Sequence, residues 1–226
     1  MKHITLQRGK EKSLQRFHPW VFSGAIAKKD KGLADGDIVE VYDFENQYLA
    51  TGHYHNSSTC VKVFSFTQVT PDEAFWKQKI QYAVNFRKQL GLLDNPQTTA
   101  FRLVNGEGDH LPGLIIDWFD GNVVIQFHSY GMFLLRDTFV KVLLDIFGSH
   151  IRSIYDKSTA TLPEVPGFTP EDQLLYGTFD GSAFTPEIVS HFQKGPDEYA
   201  GQIFRAPDGR CILISWLTGW GYGDSE

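Results

Sequence analysis

The spacing of the apolar residues changes near residue 70, and that change limits the folds open to this chain. Before residue 70, short apolar runs alternate with polar residues, which is typical of strands in a small barrel or sandwich. After it, Thr70 can cap a helix, Pro71 suits the first helical position, and Glu73 completes a capping box. Gly91 ends the helical pattern. The predicted strands are Ile4–Leu6, Ile38–Tyr42, Tyr48–Gly52 and Cys60–Phe66, and the apolar positions of the helix are Trp76, Ile80, Ala83, Val84 and Phe86.

The chain beyond residue 100 combines strands with a second helix. The pair Asp120-Gly121 separates two β-rich runs, Leu114–Phe119 and Asn122–Phe127, and predicts a tight hairpin. A helix at about Met132–Phe147 and a strand at Ile151–Asp156 follow. The predicted fold class is therefore α+β. Its parts are a small β-barrel over 1–69, an α/β sandwich of β-β-α-β-β order over 70–176, and a short all-β tail over 177–226.

Charge is unevenly distributed. The formal net charge is −6, yet the first 31 residues contain eight Lys or Arg and only two acidic residues. A local positive excess of this size can neutralise several phosphates, and the release of their counterions strengthens nucleic-acid binding. A solvated lysine-rich surface explains the charge alone equally well. The eight basic residues are Lys2, Arg8, Lys10, Lys12, Arg16, Lys28, Lys29 and Lys31.

Composition excludes several classes of protein. With 42% apolar and 21% charged residues, the chain is neither disordered nor fibrous. The longest uncharged apolar stretch, Cys211–Gly223, is well short of the roughly 20 residues of a membrane span. The polar N-terminus has no apolar segment typical of a signal peptide, so a cytoplasmic location is expected. Cys60 and Cys211 are too few for a disulfide framework and are interpreted as small buried residues.

Cationic and aromatic side chains lie next to each other in the segment 16–26. Lysine and arginine bind phosphates, and exposed rings offer stacking faces to unpaired RNA bases. The alternative is that Trp20 and Phe22 belong to a small hydrophobic core, and for each ring taken singly this alternative is favoured. Charge and rings together predict an RNA-binding surface made of Arg8, Lys10, Lys12, Arg16, His18, Trp20, Lys28 and Lys29.

Several stretches of the chain resemble a known family. The motifs are Arg8–Leu14, His18–Ile26, Gly36–Val39 and Leu49–His55, followed by Phe101–Asp117 and Ile154–Ser158. The first four are similar to the PUA RNA-binding domain that opens the S-adenosylmethionine-dependent methyltransferases of large-subunit ribosomal RNA, cytosine-C5 type. The last two resemble the β-β-α-β-β domain that follows it. The resemblance covers roughly residues 2–176 and implies a PUA-type barrel and ribosomal RNA as the partner.

The segment 101–117 has two interpretations. Arg102, Asn105, Glu107, Asp109 and Asp117 lie close together in sequence, and paired carboxylates beside an arginine can carry acid/base work or hold an anion. Turn chemistry is the favoured alternative, because Asp and Asn beside glycines commonly stabilise tight backbone. The family resemblance implies that Arg102 and Asn105 line a substrate cleft, without giving either a chemical role.

A methyltransferase of that family also needs a cofactor domain. The resemblance implies S-adenosylmethionine for the full-length family, with the nucleophilic cysteine in that same domain. We expect this chain to lack that domain and to bind no cofactor alone. The glycines of Gly219–Gly223 follow an apolar strand, but the helix that a dinucleotide motif requires is missing. Neither a catalytic residue nor a metal site is predicted.

The end of the chain resembles an unrelated family. The stretches 177–187, 195–202 and 207–216 look like part of the β-propeller of glycoside hydrolase family 32, the invertases and fructanases. The three carboxylate motifs of that family are missing, and retaining hydrolysis needs two carboxyl groups. The tail is therefore not expected to cleave a glycoside alone.

The sequence as a whole favours the RNA-recognition portion of a ribosomal RNA methyltransferase acting on cytosine C5 of 23S-type RNA. The alternatives are a fragment of a family 32 fructan or sucrose hydrolase behind an unrelated N-terminal part, and a join of two unrelated genes. A homodimer is compatible with the sequence, which does not determine the oligomeric state.

Overall fold

The computed structural model describes residues 1–168 in full and the backbone of four strands beyond them. The first 65 residues form a six-stranded sheet in the order β2-β6-β5-β4-β1-β3, in which β1 and β4 run parallel. Its strands are β1 (Lys2–Leu6), β2 (Trp20–Phe22), β3 (Ile26–Lys29), β4 (Ile38–Tyr42), β5 (Tyr48–Tyr54) and β6 (Thr59–Ser65), and a short helix α1 (Lys12–Gln15) lies between β1 and β2.

The first sheet has its own hydrophobic core. Ile4, Val39, Ala50 and Val61 are fully buried in it. Four of its strands lie where the apolar alternation predicts them, whereas β2 and β3 were not predicted. In β2 only Val21 is buried, and β3 is mostly exposed, so neither strand carries an apolar alternation that the sequence could reveal.

Helix α2 (Glu73–Gln89) begins after Asp72, two residues later than predicted. The Asp72 carboxylate accepts a hydrogen bond of 2.8 Å from the backbone N–H of Phe75, so Asp72 is the cap and the prediction of Thr70 was wrong. Trp76 and Ile80 are buried as expected. Phe86, which was predicted among the apolar positions of the helix, is 46% exposed, whereas the neighbouring Arg87 is buried.

A second six-stranded sheet has the order β12-β11-β10-β9-β8-β7. The hairpin at Asp120-Gly121 is confirmed, because Phe119 pairs with Asn122 and both turn residues have positive φ, 48° and 85°. The next strand in sequence, β10, pairs parallel with β9. The strands are β7 (Ala100–Asn105), β8 (Leu114–Phe119), β9 (Asn122–Phe127), β10 (Ser153–Asp156), β11 (Gln173–Phe179) and β12 (Phe184–His191).

Two helices occupy the region where one was predicted. Helix α3 (Tyr130–Phe133) is capped by the Ser129 hydroxyl, and α4 (Arg136–Phe147) follows after Leu135. Phe139 and Val142 of α4 share a buried core with the α2 helix and the central strands of the second sheet. No helix within the residues that the structure describes is long and apolar enough to cross a membrane.

The mixed α+β class is therefore confirmed. Strand β11 pairs with β10 and continues past residue 176, where the predicted α/β sandwich ends and the predicted tail begins. Beyond it, β13 (Glu198–Arg205) and β14 (Cys211–Leu217) pair with each other. The domain limits, the layered sandwich and the all-β tail stay predictions. Gly219–Gly223 lie outside the described residues.

Candidate nucleic-acid interface

The basic residues that follow β1 are exposed along one short segment. Buried Leu14 anchors helix α1, and Lys12 and Arg16 are four residues apart, so they project from the same side of this turn. Among residues 1–168, Lys10, Lys12 and Arg16 make no ion pair. Arg8 lies over the ring of Phe44, 5.2 Å from its centroid. Three cations are thus free to meet an anionic ligand.

Three rings stand beside this segment. His18, Trp20 and Phe22 form a cluster with centroid separations of 5.8, 6.2 and 6.4 Å. Phe22 is 49% exposed and Trp20 is half-buried, so neither belongs to the core of the first sheet and the core interpretation of these two rings was wrong. Buried Val21 between them fixes the strand and directs both neighbours outward.

A cavity of about 330 Å³ is lined by one of the cations, Lys10, and by one of the rings, Phe22, together with Ser13 and Gly24. An ammonium group, a hydroxyl and an aromatic face around one depression can take a phosphate and an adjoining base.

The two lysines of β3 differ. Lys28 is exposed, and within the described part of the chain it has no ion-pair partner. Lys29 donates a hydrogen bond of 2.7 Å to the Tyr54 hydroxyl, which raises the pKa of the ammonium. Of the two, Lys28 is the one fully available to a ligand.

The carboxylates of the segment 101–117 have protein partners. Asp109 forms a buried bidentate pair with Arg87 of α2, with N–O distances of 2.5 and 2.7 Å, and it accepts the Asn105 N–H at 2.6 Å. Asp117 pairs across the strands with Arg102 at 2.8 Å and raises the pKa of that guanidinium. The third carboxylate, Glu107, accepts the indole N–H of Trp20 at 3.0 Å. These contacts support the turn interpretation over acid/base work.

Arg102 and Asn105, the predicted cleft residues, are both exposed on β7. The Arg102 guanidinium is half-exposed although Asp117 holds two of its nitrogens. The structure therefore places both side chains at the surface of the second sheet, close in sequence to the loop that contacts Trp20.

Strand β5 of the first sheet meets helix α3 at a close contact that the sequence did not reveal. The Gly131 Cα carries no side chain, and a Cβ there would lie 2.3 Å from Cγ of His53. His53 also stacks on Trp76 of α2, with ring centroids 6.0 Å apart. Lys62 of β6 reaches across and donates a hydrogen bond of 2.9 Å to the carbonyl of His128.

A cavity of about 310 Å³ lies at this junction, and we call it the junction cavity. Burial lowers the pKa of His53 to about 3 and lowers the pKa of Lys62. The pKa of His128 is lowered as well, first by burial and then by Lys62. The residues that line the junction cavity include Trp20, His53, Tyr54, His55, Lys62 and His128.

Sequence reasoning missed His53, Lys62 and His128 as members of a site. They are far apart in sequence, and the one available signal was the His53-Tyr54-His55 pattern directly after the predicted strand Tyr48–Gly52. Cys60 is buried and its thiol contacts the Val21 carbonyl, and burial raises its pKa, as suits a structural rather than a nucleophilic cysteine. Among the described residues, no group of three or more His, Cys, Asp or Glu side chains could hold a metal ion.

The part of the chain that contains the candidate interface matches a known domain family. The PUA-like domain family matches residues 4–66, which contain the whole basic segment and the three rings. The chain is 34% identical over 176 residues to the ribosomal RNA large subunit methyltransferase I of Yersinia pseudotuberculosis and to that of Yersinia pestis. The match covers 77% of this chain and 43% of each relative, so the chain spans less than half the length of the curated relatives it matches.

Two solved structures share the fold. One, assigned as a SAM-dependent methyltransferase from Streptococcus mutans, has a TM-score of 0.61 at 20% identity, over 81% of this chain and 50% of that one. The other is SMU.776, assigned as a methyltransferase and solved with SAH, with a TM-score of 0.61 at 17% identity, over 97% and 49%. The chain is thus similar to ribosomal RNA methyltransferases that are longer than itself, and its residues 4–66 match the PUA-like domain.

Proposed function

We propose that this chain binds ribosomal RNA through its first sheet. The observation that carries the proposal is the set of three exposed cations, Lys10, Lys12 and Arg16, which make no ion pair within residues 1–168. Lys10 shares a cavity with the exposed ring of Phe22. Phosphates would meet the cations, and an unpaired base would stack on a ring. We call this surface the basic–aromatic face; it comprises Arg8, Lys10, Lys12, Arg16, His18, Trp20, Phe22 and Lys28.

The geometry adjusts the proposed set of RNA contacts. Lys29 donates one hydrogen bond to the Tyr54 hydroxyl, so its ammonium has fewer donors left for a phosphate than that of Lys28. Arg102 and Asn105 are proposed to contact RNA beyond the face, since both are exposed near the loop that Trp20 contacts. They would extend the interface onto the second sheet.

The proposed context is an S-adenosylmethionine-dependent methyltransferase of large-subunit ribosomal RNA, with cytosine C5 as the methylated atom. Support comes from the two Yersinia relatives and from the match to the PUA-like domain. Because the matched relatives are more than twice as long as the matched region, we assign this chain the recognition of RNA only. We propose no S-adenosylmethionine site on this chain. The cytoplasmic location and the homodimer stay predictions.

The hydrolase alternative is not favoured. The curated relatives are ribosomal RNA methyltransferases that match 77% of the chain. The stretches that resemble the propeller lie partly outside the described residues.

Filter binding of 23S ribosomal RNA fragments tests the proposal. We compare the unaltered chain with a variant carrying Lys10→Gln, Lys12→Gln and Arg16→Gln, at 50 and 200 mM salt. Loss of three phosphate contacts should weaken binding at low salt and reduce the slope of log K against log salt by about 2, because each contact to a single strand contributes about 0.7.

The matched control removes three lysines elsewhere, by Lys77→Gln, Lys88→Gln and Lys141→Gln on the α2 and α4 surface. It loses the same formal charge from a surface where Lys77 pairs with Asp145 and Lys141 pairs with Glu73, so the two variants differ in the position of the charge and in its availability. Equal weakening by both variants, or no RNA retained by the unaltered chain at 50 mM salt, would refute the proposal.

A further inference from the structure

One wall of the junction cavity is formed by His53, a buried residue that is not part of the basic–aromatic face. His53 is only 4% exposed and lines the cavity, and its imidazole makes no hydrogen bond within the described part of the chain. A neutral imidazole has one donor and one acceptor, and buried polar groups are normally hydrogen-bonded. The donor and the acceptor of the His53 ring have no partner in the described part of the chain, and this points to a ligand in the cavity.

Polar groups surround this wall on several sides. The Lys62 ammonium uses one donor on the His128 carbonyl, which leaves two for a ligand. His55 also lines the cavity, and its Nδ1, 3.0 Å from a carboxylate oxygen of Asp35, makes no hydrogen bond within the described part of the chain. The Tyr54 ring adds an aromatic surface whose hydroxyl Lys29 already holds. The cavity therefore combines ring faces with several donors and acceptors.

Size limits what the cavity can hold. At about 310 Å³ it is at the lower end of the range of small-molecule sites, roughly 300 Å³ and above. One planar heterocycle fits a space of this kind, and a stacked dinucleotide does not. Ring walls together with hydrogen-bonding groups are what a base taken out of its stack requires.

The cavity is continuous with the basic–aromatic face. Trp20 belongs to the ring cluster of that face and also lines the cavity, and its indole is fixed by the hydrogen bond to Glu107. A strand of RNA lying on the face therefore reaches the cavity at Trp20.

We propose that the junction cavity accepts one unstacked nucleobase of the RNA held on the basic–aromatic face, with His53 hydrogen-bonded to the edge of the base and Lys62 to its carbonyl or neighbouring phosphate. This inference rests on the proposed RNA binding. It adds a specificity site between the two sheets, distinct from the phosphate contacts.

Nuclear magnetic resonance of the imidazole signals tests it on the full chain. The four nucleoside 5′-monophosphates and ribose 5-phosphate are titrated separately, and the shifts of His53, His55 and His128 are followed. At least one nucleotide should shift all three signals, with an affinity at least about tenfold above that of ribose 5-phosphate, as expected when a base stacks and pairs. Equal shifts by ribose 5-phosphate would indicate an anion site only and would overturn the inference, as would no shift by any nucleotide.

The second measurement uses a variant in which a large side chain fills the junction cavity. Ser58 lines the cavity with an exposed side chain, so Ser58→Trp should occupy the space and reduce nucleotide binding at least tenfold. Ser149→Trp, at an exposed position after α4, is the matched control and should bind as the unaltered chain does. Equal binding by both tryptophan variants contradicts the inference. If Ser58→Trp fails to fold, the comparison of nucleotides with ribose 5-phosphate decides alone.

Filter binding of RNA separates this inference from the proposed function. RNA retention without any nucleotide shift refutes the nucleobase site and leaves RNA binding standing. Nucleotide shifts without RNA retention refute the proposed function instead.

Discussion

The indole Nε1 of Trp20 donates a hydrogen bond of 3.0 Å to Oε1 of Glu107, although the two residues are 87 positions apart. Trp20 belongs to the first sheet, and Glu107 belongs to the loop after β7 of the second. One bond thus joins a ring of the basic–aromatic face to the segment 101–117, which is among the stretches that carry the family resemblance.

The first prediction concerns the energy of this bond. A double-mutant cycle of Trp20→Phe and Glu107→Ala should give a coupling free energy of unfolding of about 1 kcal/mol, because the bond is charge-assisted but partly exposed. Urea denaturation measures it. The control cycle pairs Trp20→Phe with Glu164→Ala at an exposed position, and should give no coupling. A Trp20–Glu107 coupling no larger than the control would contradict the prediction.

The second prediction compares two arginine–aspartate pairs. Asp109→Asn leaves Arg87 buried without its charged partner and should lower the free energy of unfolding by about 3 kcal/mol or more. Asp117→Asn breaks the half-exposed pair with Arg102 and should cost about 1 kcal/mol or less. Urea denaturation of both variants checks the order. Similar losses would mean that burial does not set the strength of the Arg87–Asp109 pair.

The third prediction tests the contact between strand β5 and helix α3. Gly131→Ala places a methyl group against the His53 ring and should lower the free energy of unfolding by about 1–3 kcal/mol through overpacking. Gly24→Ala is the matched control, because a Cβ there has open space and the backbone φ is unstrained. Thermal or urea unfolding compares them. Equal stability of the two variants would show that β5 and α3 move apart at this point with little cost.

The fourth prediction is a dependence on pH. The pKa of His53 is about 3 in the folded chain and about 6.5 when unfolded, so below pH 6.5 the unfolded state binds the additional proton. Stability from this group is therefore complete above pH 6.5 and is lost as the pH falls towards 3, at up to about 1.4 kcal/mol per pH unit.

His53→Leu should remove that slope, and urea denaturation between pH 4.5 and 7.5 measures the difference. His18→Leu, at an exposed ring, is the control and should retain the slope of the unaltered chain. Parallel pH profiles for the unaltered chain and His53→Leu would contradict the burial of a neutral imidazole.

Local patterns predicted much of the fold. The hairpin at Asp120-Gly121 was predictable because its turn chemistry depends on two adjacent residues. The start of α2 was placed at Thr70, since Thr70 and Asp72 can both cap and the sequence does not show which one contacts the Phe75 N–H. The division of the second helix at Leu134-Leu135 carries no glycine or proline to mark it.

The site was predicted only where its chemistry lies at the surface. Lys10, Lys12 and Arg16 are exposed in one short segment, so their charge is visible in the sequence. His53 and His128 come together only when the two sheets pack, and a lone histidine in a strand gives no sign of that. Burial of Arg87 within a largely apolar helix face likewise depends on Asp109, a partner from a distant loop.

The absence of a side chain at Gly131 has a consequence for how RNA would be handled. The His53 ring of β5 packs directly on the backbone of α3, and no side chain fits between them. If RNA binds the basic–aromatic face as proposed, this rigid packing would set the distance from the bound phosphates to the junction cavity, and with it which base along the strand can enter.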